Sequence, residues 1–306
     1  YLLARRGYSG YFSGYRLLML DANGVPEGEM VVVPGGESTE LRLVVDALDP
    51  SKLYLYDFVG RYARDVVRSV SDDGGQTWSE WNWAVGTRHG HPESRTSSFD
   101  VAQDGEGVIH LVYADRGTVY YTSDAWPFGA TDVMLGQGTT PAIAVRNSDE
   151  LHVAWRGEGN EFGWRVSPNA GRQWGPEHAF SQPGVEWWCG LCLTASTDGV
   201  FLNWSASFDG TAENARLYGV TYTPEAAWSH VMEIPLADSG RTRGLGDMLT
   251  DTAAETGELY LTGRTKPGAL FFGRAGTEAA HPQNWISVRG MVASKGVPMC
   301  GVTVEF

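Results

Sequence analysis

Arginine side chains collect in the predicted loops of this chain, which otherwise carries an excess of acidic residues. The loop arginines are Arg42, Arg61, Arg64, Arg88, Arg95, Arg116, Arg156, Arg241, Arg243, Arg264 and Arg289. The guanidinium group is planar, and its fork of N–H donors fits a carboxylate with two hydrogen bonds. Several such groups in a chain of net charge −14 favour a site for an anionic sugar, such as a sialic or uronic acid.

A second segment with candidate chemistry reads Arg-His-Gly-His at positions 88–91. Histidine can accept or donate a proton near neutral pH. His89 and His91, with Arg88 and Arg95 beside them, are therefore candidates for proton transfer to a bound acidic sugar. The alternative interpretation is a glycine-rich surface loop in which both histidines are solvated.

Composition excludes several classes of function. The net charge of −14 argues against a nucleic-acid partner, because phosphate neutralisation needs a positive face. No apolar run approaches the roughly 18 residues that a membrane span needs. A single Cys-x-x-Cys pair at 189–192 is a weak zinc signal, so we expect no metal and no cofactor. The chain lacks an initiating Met, and we expect a removed or omitted leader and an extracellular or periplasmic location.

The same composition predicts an all-β fold with many turns. The chain has 39 Gly, 12 Trp, 13 Tyr and 11 Phe among its 306 residues. Tryptophan closes a repeated unit at steps of 48, 48, 54 and 57 residues. The tryptophans that mark these ends are Trp78, Trp126, Trp174, Trp228 and Trp285. Each unit contains short apolar strands bounded by Gly, Asp or Asn, for example at 98–102, 141–145 and 200–204.

Units of about 50 residues with four strands are typical of β-propeller blades. We predict one domain over residues 1–306, a six-bladed β-propeller of four-stranded antiparallel blades. Residues 15–33 and 297–306 would share the last blade and close the ring, which removes exposed strand edges. A solenoid is the alternative, and it would not need the two ends of the chain to meet.

One turn motif occurs twice. Residues 71–78 read SDDGGQTW, and residues 167–174 read SPNAGRQW, 96 positions later. Asp and Ser side chains close such turns by bonding nearby backbone N–H groups, and Gly takes backbone conformations that other residues avoid. The pattern resembles the Asp-box, or BNR repeat, of the sialidase (neuraminidase) superfamily of β-propellers. That resemblance implies that the motif is structural and that a glycan pocket lies at the opposite end of the blades.

The resemblance also implies catalytic residues. The order Glu40-Leu41-Arg42, then Asp57 and Arg61, then Asp65 is similar to the first catalytic segment of sialidases. It implies that Arg42 binds the substrate carboxylate, that Asp65 is the acid/base with Asp57 second, and that Glu305 on the last strand steadies Arg42. Arg61, Arg241, Arg243 and Arg264 would add substrate contacts.

The match is incomplete at two places. Ser205 stands where the family has its second arginine, and the segment 289–295 has no tyrosine for the family's nucleophile. We therefore expect a sialidase-like glycoside hydrolase that acts on an anionic glycan with an incomplete catalytic set. Two alternatives stay open. One is a lyase on uronate polymers that uses residues 88–95 and Tyr113. The other is a non-catalytic glycan-binding propeller, in which Trp155, Trp187, Trp188 or Trp204 could stack on sugars, although packing within the blades is the simpler role for most of them.

Overall fold

Alternating apolar strands separated by tight turns fold into antiparallel sheets throughout the described chain. The computed structural model describes residues 2–8, 11–20, 26–33, 41–59, 65–85, 96–125, 132–195, 199–211, 216–224, 227–233, 243–253, 258–266, 270–275 and 286–290. The chain divides into two compact units, Tyr1–Pro141 and Ala142–Phe306. Within the described ranges, no helix is long and apolar enough to cross a membrane.

The first unit contains three sheets among its described residues, each with its strands in sequence order. Sheet A consists of β1 (Leu2–Tyr8), β2 (Tyr11–Leu20) and β3 (Pro26–Val33). Sheet B consists of β4 (Arg42–Val45), β5 (Leu53–Val59), β6 (Asp65–Ser71) and β7 (Asn82–Val85). Sheet C consists of β8 (Thr96–Gln103), β9 (Ile109–Asp115), β10 (Thr118–Ser123) and β11 (Val133–Gln137).

The second unit has three further sheets of the same kind in its described part. Sheet D consists of β12 (Thr139–Arg146, which begins at the end of the first unit), β13 (Glu150–Arg156), β14 (Glu161–Ser167) and β15 (His178–Ser181). Sheet E consists of β16 (Trp187–Ala195), β17 (Val200–Ser207), β18 (Arg216–Thr223), β19 (Ala227–Trp228) and β20 (Met232–Glu233). The short β19 and β20 both pair with β18 and together stand as an interrupted fourth strand. Sheet F consists of β21 (Arg243–Ala253), β22 (Glu258–Lys266), β23 (Leu270–Ala275) and β24 (Ile286–Gly290).

The prediction of an all-β fold with four-stranded antiparallel sheets is confirmed. At the N-terminus the structure adds to the prediction, because sheet A includes β1 and begins β2 at Tyr11, ahead of the predicted start at Tyr15. The predicted closing strand, residues 297–306, lies outside the described residues. The number of blades and the closure of a ring stay predictions.

Side chains alternate across the strands, so sheet B packs on a neighbouring sheet with each of its faces. In β5, Leu53 and Leu55 pack with Leu17 of sheet A, whereas Tyr54 and Tyr56 pack with side chains of sheet C. All four are buried. In the second unit, Phe162, Trp204 and other side chains of sheets D and E form the corresponding core. The hydrophobic effect of this burial holds neighbouring sheets face to face.

The two copies of the turn motif share two hydrogen bonds from the backbone to a side chain. The Ser71 hydroxyl accepts from Gly75 N at 2.8 Å, and the Ser167 hydroxyl accepts from Gly171 N at 2.9 Å. One carboxylate oxygen of Asp73 accepts from Thr77 N at 2.8 Å, and the Asn169 side-chain oxygen accepts from Gln173 N at 2.8 Å. Gly75 has a φ of 92°, and a Cβ there would lie 2.5 Å from Leu17, so glycine is required. Both turns join the third and fourth strands of their sheets.

The positions of these turns distinguish the two ends of a sheet. Because successive strands are antiparallel, the start of the first strand and the connection between the second and third lie at one end. We call this end the loop end. The opposite end, which carries residues 71–78 in sheet B and 167–174 in sheet D, is the turn end. The turn motif is thus at the opposite end of the sheet from the predicted site residues of β4 to β6.

The Asp73 turn should make stability depend on acid pH. Hydrogen bonds from the Thr77 side chain and backbone, then from Ser71, lower the pKa of Asp73 to about 2. Because this folded-state pKa lies below the unfolded value near 3.8, the ionised Asp73 stabilises the fold above that value and loses its contribution as the pH falls towards 2. Asn169 shows that an amide fits the same turn. We expect Asp73→Asn to lower the urea midpoint at pH 6 and to lower it by less at pH 2.5, where the contribution of the ionised side chain is partly lost.

The control for this experiment is Asp72→Asn, which removes a charge from an exposed neighbour in the same turn. It should change the midpoint by less than Asp73→Asn at pH 6. A deficit for Asp73→Asn that is equally large at both pH values would contradict the assignment of the ionised side chain to the turn.

Candidate functional site

Two of the predicted catalytic residues lie at the loop end of sheet B. Arg42 is the first residue of β4, and Asp65 is the first residue of β6. The backbone register pairs Arg42 with Tyr56 and Asp65 with Val59, so both positions are near the end of β5. The strands therefore bring Arg42 and Asp65 to the same end of one sheet, 23 positions apart in the chain.

A carboxylate on the neighbouring sheet holds the Arg42 guanidinium. Arg42 Nε donates to Asp100 Oδ1 of β8 at 2.9 Å, and Nη1 donates to the Leu41 carbonyl at 3.3 Å. The guanidinium carbon lies 5.8 Å from the centre of the Phe99 ring, within the range of a cation–π contact. The Arg42 side chain is 26% exposed, and that of Asp100 is 18% exposed. An arginine oriented in this way and still partly accessible can bind an anion that arrives at the loop end.

Sequence analysis did not assign a role to Asp100, which is 58 residues from Arg42. Asp100 belongs to the predicted strand that begins at Ser98, and its alternation with buried Phe99 was visible in the sequence. The sequence does not show that the strand of Asp100 lies next to the strand of Arg42. Asp100 makes with Arg42 the kind of contact that the family resemblance implied for Glu305, which lies outside the described residues.

Asp57 lies away from this arginine. It follows Tyr56 in β5, and strand alternation puts it on the face of sheet B that carries Leu53 and Leu55. Arg42 is opposite Tyr56 in the register and lies on the other face, towards sheet C. Asp57 is also 0% exposed. By the same register Asp65 is opposite Val59 and shares the face of Asp57, but it is the first residue of β6 at the loop end, whereas Asp57 is buried within β5.

The remaining predicted site residues are placed only by their strands or lie beyond the described ranges. Arg243 begins β21, where it pairs with Lys266, and Arg264 pairs with Gly246. The predicted positions outside the described residues are Arg61, Arg88, His89, His91, Arg95, Arg241 and Glu305.

Tyr113, proposed for the lyase alternative, is part of the core. It is 1% exposed, and its hydroxyl donates to Asp132 Oδ2 at 2.6 Å. Burial, and then the Asp132 carboxylate, raise the pKa of Tyr113 above its ordinary value. Both effects oppose ionisation near neutral pH, so this tyrosine is a poor general base in the described conformation.

Of the four tryptophans suggested for sugar stacking, two are buried in the core. Trp155 and Trp204 are 0% and 1% exposed, so packing is their role, as the simpler interpretation expected. Ser205, at the position of the family's second arginine, is also buried at 3%. Trp187 and Trp188 belong to β16, and the structure describes only their backbone.

Two histidines at similar positions of successive sheets are structural. His110 Nε2 lies 3.1 Å from Asp104 Oδ2, and its Nδ1 lies 2.8 Å from the Tyr121 hydroxyl. His152 Nε2 lies 2.6 Å from Glu150 Oε1. Burial lowers the pKa of both histidines, although each carboxylate partner opposes the shift. Among the described residues, no three His, Cys, Asp or Glu side chains cluster as metal ligands would.

Comparison with known proteins defines the fold further. No family model and no curated protein sequence matches the chain. The Aleuria aurantia lectin, solved with α-methyl-L-fucoside, aligns with 97% of this chain and 96% of its own at 12% identity and a TM-score of 0.57. A PL25 ulvan lyase bound to -[GlcA(1-4)Rha3S]- aligns with 78% of this chain and 68% of its own at 14% identity and a TM-score of 0.50. A Dyadobacter fermentans protein of unknown function covers 84% of both chains at 11% identity and a TM-score of 0.57.

The chain therefore has an all-β fold similar to β-propellers that bind or act on glycans. At identities of 11–14% the likeness concerns the fold alone. The activity has to be argued from the side chains of this chain.

Proposed function

We propose that this chain is a sialidase-like glycoside hydrolase that acts on an anionic glycan of the sialic- or uronic-acid type. The observation that carries the proposal is the Arg42 guanidinium, held by Asp100 and stacked near Phe99 at the loop end of sheet B. A carboxylate substrate that meets an oriented, partly exposed arginine gains a charge-assisted pair without first ordering that side chain.

The proposed architecture is one six-bladed β-propeller over residues 1–306. In the described part, sheet A has three strands, whereas sheets B, C, D and F have four. A strand from residues 297–306 would give sheet A its fourth strand and bring Glu305 towards the candidate site. The matching hydrogen bonds of residues 71–78 and 167–174 support the interpretation of both turns as Asp-boxes.

In the proposed mechanism, Arg42 binds the substrate carboxylate and Asp100 keeps the guanidinium in place. Asp65 donates a proton to the glycosidic oxygen as the bond to the sugar breaks, and the Asp65 carboxylate that results accepts a proton from the water molecule that adds to the sugar carbon. Further substrate contacts are assigned to the loop arginines and histidines Arg61, Arg88, His89, His91, Arg95, Arg241, Arg243 and Arg264. No nucleophile is assigned, because the family's tyrosine has no counterpart at residues 289–295.

Two other functions have support from the comparisons. The ulvan lyase has a bound uronate-containing fragment, which supports a lyase that would use residues 88–95. The Aleuria aurantia lectin covers nearly the whole chain, which supports glycan binding without turnover. The buried and hydrogen-bonded Tyr113 argues against the lyase. For all three functions we propose an extracellular or periplasmic location.

One assay separates these functions. The wild-type protein is incubated with a panel of sialosides, glucuronides and uronate polymers, and three signals are followed: released reducing sugar, ultraviolet absorbance of an unsaturated product, and heat of binding by calorimetry. The hydrolase predicts new reducing ends without an unsaturated product. An unsaturated product would replace the proposal by the lyase, and binding without any product would replace it by the lectin.

Arg42→Lys tests the anion contact. Lysine keeps the charge but loses the planar fork, and the loss of one charge-assisted pair of about 1.5–3 kcal/mol corresponds to a roughly 10- to 100-fold effect. We expect KM for the acidic substrate to rise by that factor with a smaller change in kcat. The matched control is Arg172→Lys at the turn end of sheet D, which should leave both constants unchanged. Equal kinetics for the two variants would contradict the role of Arg42.

A further inference from the structure

A cavity of about 250 Å³ lies in the second unit, away from the loop end. Its lining includes Arg146, Glu150, Trp164, His178 and Tyr222. Arg146 ends β12 and Glu150 begins β13, so the cavity is at the turn end of sheet D. Tyr222 near the end of β18 contributes the wall from sheet E. The volume is slightly below the range of roughly 300–1,000 Å³ for drug-sized ligands, which suits a single sugar ring.

A fixed polar array forms one side of this cavity. Arg146 Nη1 donates to Glu150 Oε1 at 2.9 Å, and His152 Nε2 lies 2.6 Å from the same oxygen. The side chain of Arg146 is 10% exposed and that of Glu150 is 26% exposed. Both of these bonds end on Oε1, so Oε2 of this partly exposed carboxylate is in a position to accept from ligand hydroxyl groups.

Aromatic rings form the other side. The ring centroid of Trp164 lies 4.8 Å from that of Tyr222 and 5.3 Å from that of His178. Trp164 is 6% exposed, and its indole N–H has no acceptor among the described residues; the same is true of the neighbouring Trp228. A buried donor without an acceptor has a free-energy cost. An aromatic wall beside polar groups whose hydrogen bonds are not all used is the arrangement that carbohydrate sites use, because a sugar has both an apolar face and hydroxyl groups.

The charges select the class of sugar. Burial would raise the pKa of Glu150, but the hydrogen bond from His152 and the positive Arg146 outweigh it, and the pKa lies below its ordinary value. Burial lowers the pKa of His152. At neutral pH the array is therefore one carboxylate and one guanidinium with a neutral imidazole. In this pair the carboxylate is the more exposed partner, whereas in the Arg42–Asp100 pair it is the arginine. An acidic sugar would therefore meet Glu150 first and be repelled, whereas hydroxyl groups can bond to it.

We propose that this cavity is a second carbohydrate-binding site, and that it binds one neutral sugar residue without catalysing a reaction. The polar groups line one end of sheet D, whereas Arg42 and Asp65 belong to the other unit and to the loop end of their sheet.

The test uses protein labelled with ¹⁵N at tryptophan, so that the indole N–H signals report on the cavity. The probes are the methyl glycosides of galactose, glucose, mannose and fucose, with glucuronic acid as the acidic comparison. We expect at least one neutral glycoside to shift the Trp164 or Trp228 signal saturably, with a Kd in the millimolar range that is common for a single small contact. Glucuronic acid should not shift these signals, and Arg42→Lys should leave the neutral titration unchanged.

Two variants locate the binding. Glu150→Gln keeps the size of the side chain but removes its charge, and we expect at least tenfold weaker binding. His178→Ala removes an exposed ring from the lining and leaves Arg146, Glu150 and His152 unchanged. We expect roughly three- to tenfold weaker binding. This variant tests the proposal even if Glu150→Gln fails to fold. The matched control is Glu158→Gln in the connection between β13 and β14, at the opposite end of sheet D, which should bind as the wild type does.

The proposal is overturned if none of the four glycosides gives a saturable shift up to about 50 mM, well above the expected Kd. It is also overturned if His178→Ala and every folded Glu150 variant bind as the wild type does, or if glucuronic acid shifts the two signals more strongly. None of these outcomes bears on hydrolysis at the loop end, because the assay of that activity uses different substrates and different residues.

Discussion

The Asp65→Asn variant is expected to lose turnover of the acidic glycan by a factor of about 10²–10⁴ while retaining its affinity for that glycan. The amide is close in shape to the carboxylic acid but cannot deliver a proton to the glycosidic oxygen. Asp65 begins β6 at the same end of sheet B as Arg42, and the register puts it on the other face, so the proposed substrate has to reach both residues across the loop end. Because Arg42 and its partner Asp100 are unchanged in the variant, ground-state binding should persist.

The measurement is kcat and KM from the release of reducing sugar, together with a calorimetric Kd for the variant. Asp72→Asn, at the turn end of the same sheet, removes one carboxylate far from the proposed chemistry and should keep kcat within about twofold. If Asp65→Asn retains more than a third of the wild-type kcat, the acid lies elsewhere. If it loses affinity and turnover together, Asp65 is a binding residue.

Gly163→Ala is expected to destabilise the second unit severely. Gly163 of β14 lies opposite Trp155 of β13, and the indole ring occupies the space where a side chain would start. A Cβ at Gly163 would lie 2.2 Å from Trp155 Cε2, a separation that atoms cannot adopt. Since Trp155 is 0% exposed, the ring has no solvent to move into. Overpacking typically costs roughly 1–3 kcal/mol, and because the ring cannot move aside we expect a value near 3 kcal/mol here.

For a unit of this size, such a cost should lower the thermal midpoint by roughly 6–12 °C. The matched control is Gly157→Ala in the nearby connection, where a Cβ would be 3.4 Å from its nearest neighbour and only a small change is expected. In the Gly163→Ala background, Trp155→Phe should cost less than it does in the wild type, because the smaller ring relieves the clash. A thermal midpoint for Gly163→Ala within 1 °C of the wild type would contradict this packing of Trp155.

Much of the strand pattern was available from the sequence. Strands predicted at 98–102, 141–145 and 200–204 correspond to β8, β12 and β17. Local effects decide these elements, because apolar runs bounded by Gly, Asp and Asn form strands and turns whatever lies beside them. The turns at 71–78 and 167–174 are equally local, since each closes on its own Ser and on its own Asp or Asn.

The partners of the site residues were not available in this way. The sequence suggested Asp65 as the acid with Asp57 second, and the register puts both positions on the opposite face of sheet B from Arg42. The face depends on the register between β4 and β5, and a shift of one residue would exchange the two faces. The cavity beside Glu150 was missed for a related reason, because its walls come from five strands of two sheets.

By itself, the sequence determined that this chain forms short antiparallel strands and two closely similar turns, because each depends on residues within about ten positions of one another. Only the tertiary structure decided that Asp100 binds Arg42 and that Asp132 accepts the hydrogen bond of the Tyr113 hydroxyl. It alone also placed Arg146, Glu150 and Trp164 around one cavity. Those contacts depend on which sheets pack face to face and in which register, and they follow from burial summed over many side chains rather than from any local pattern.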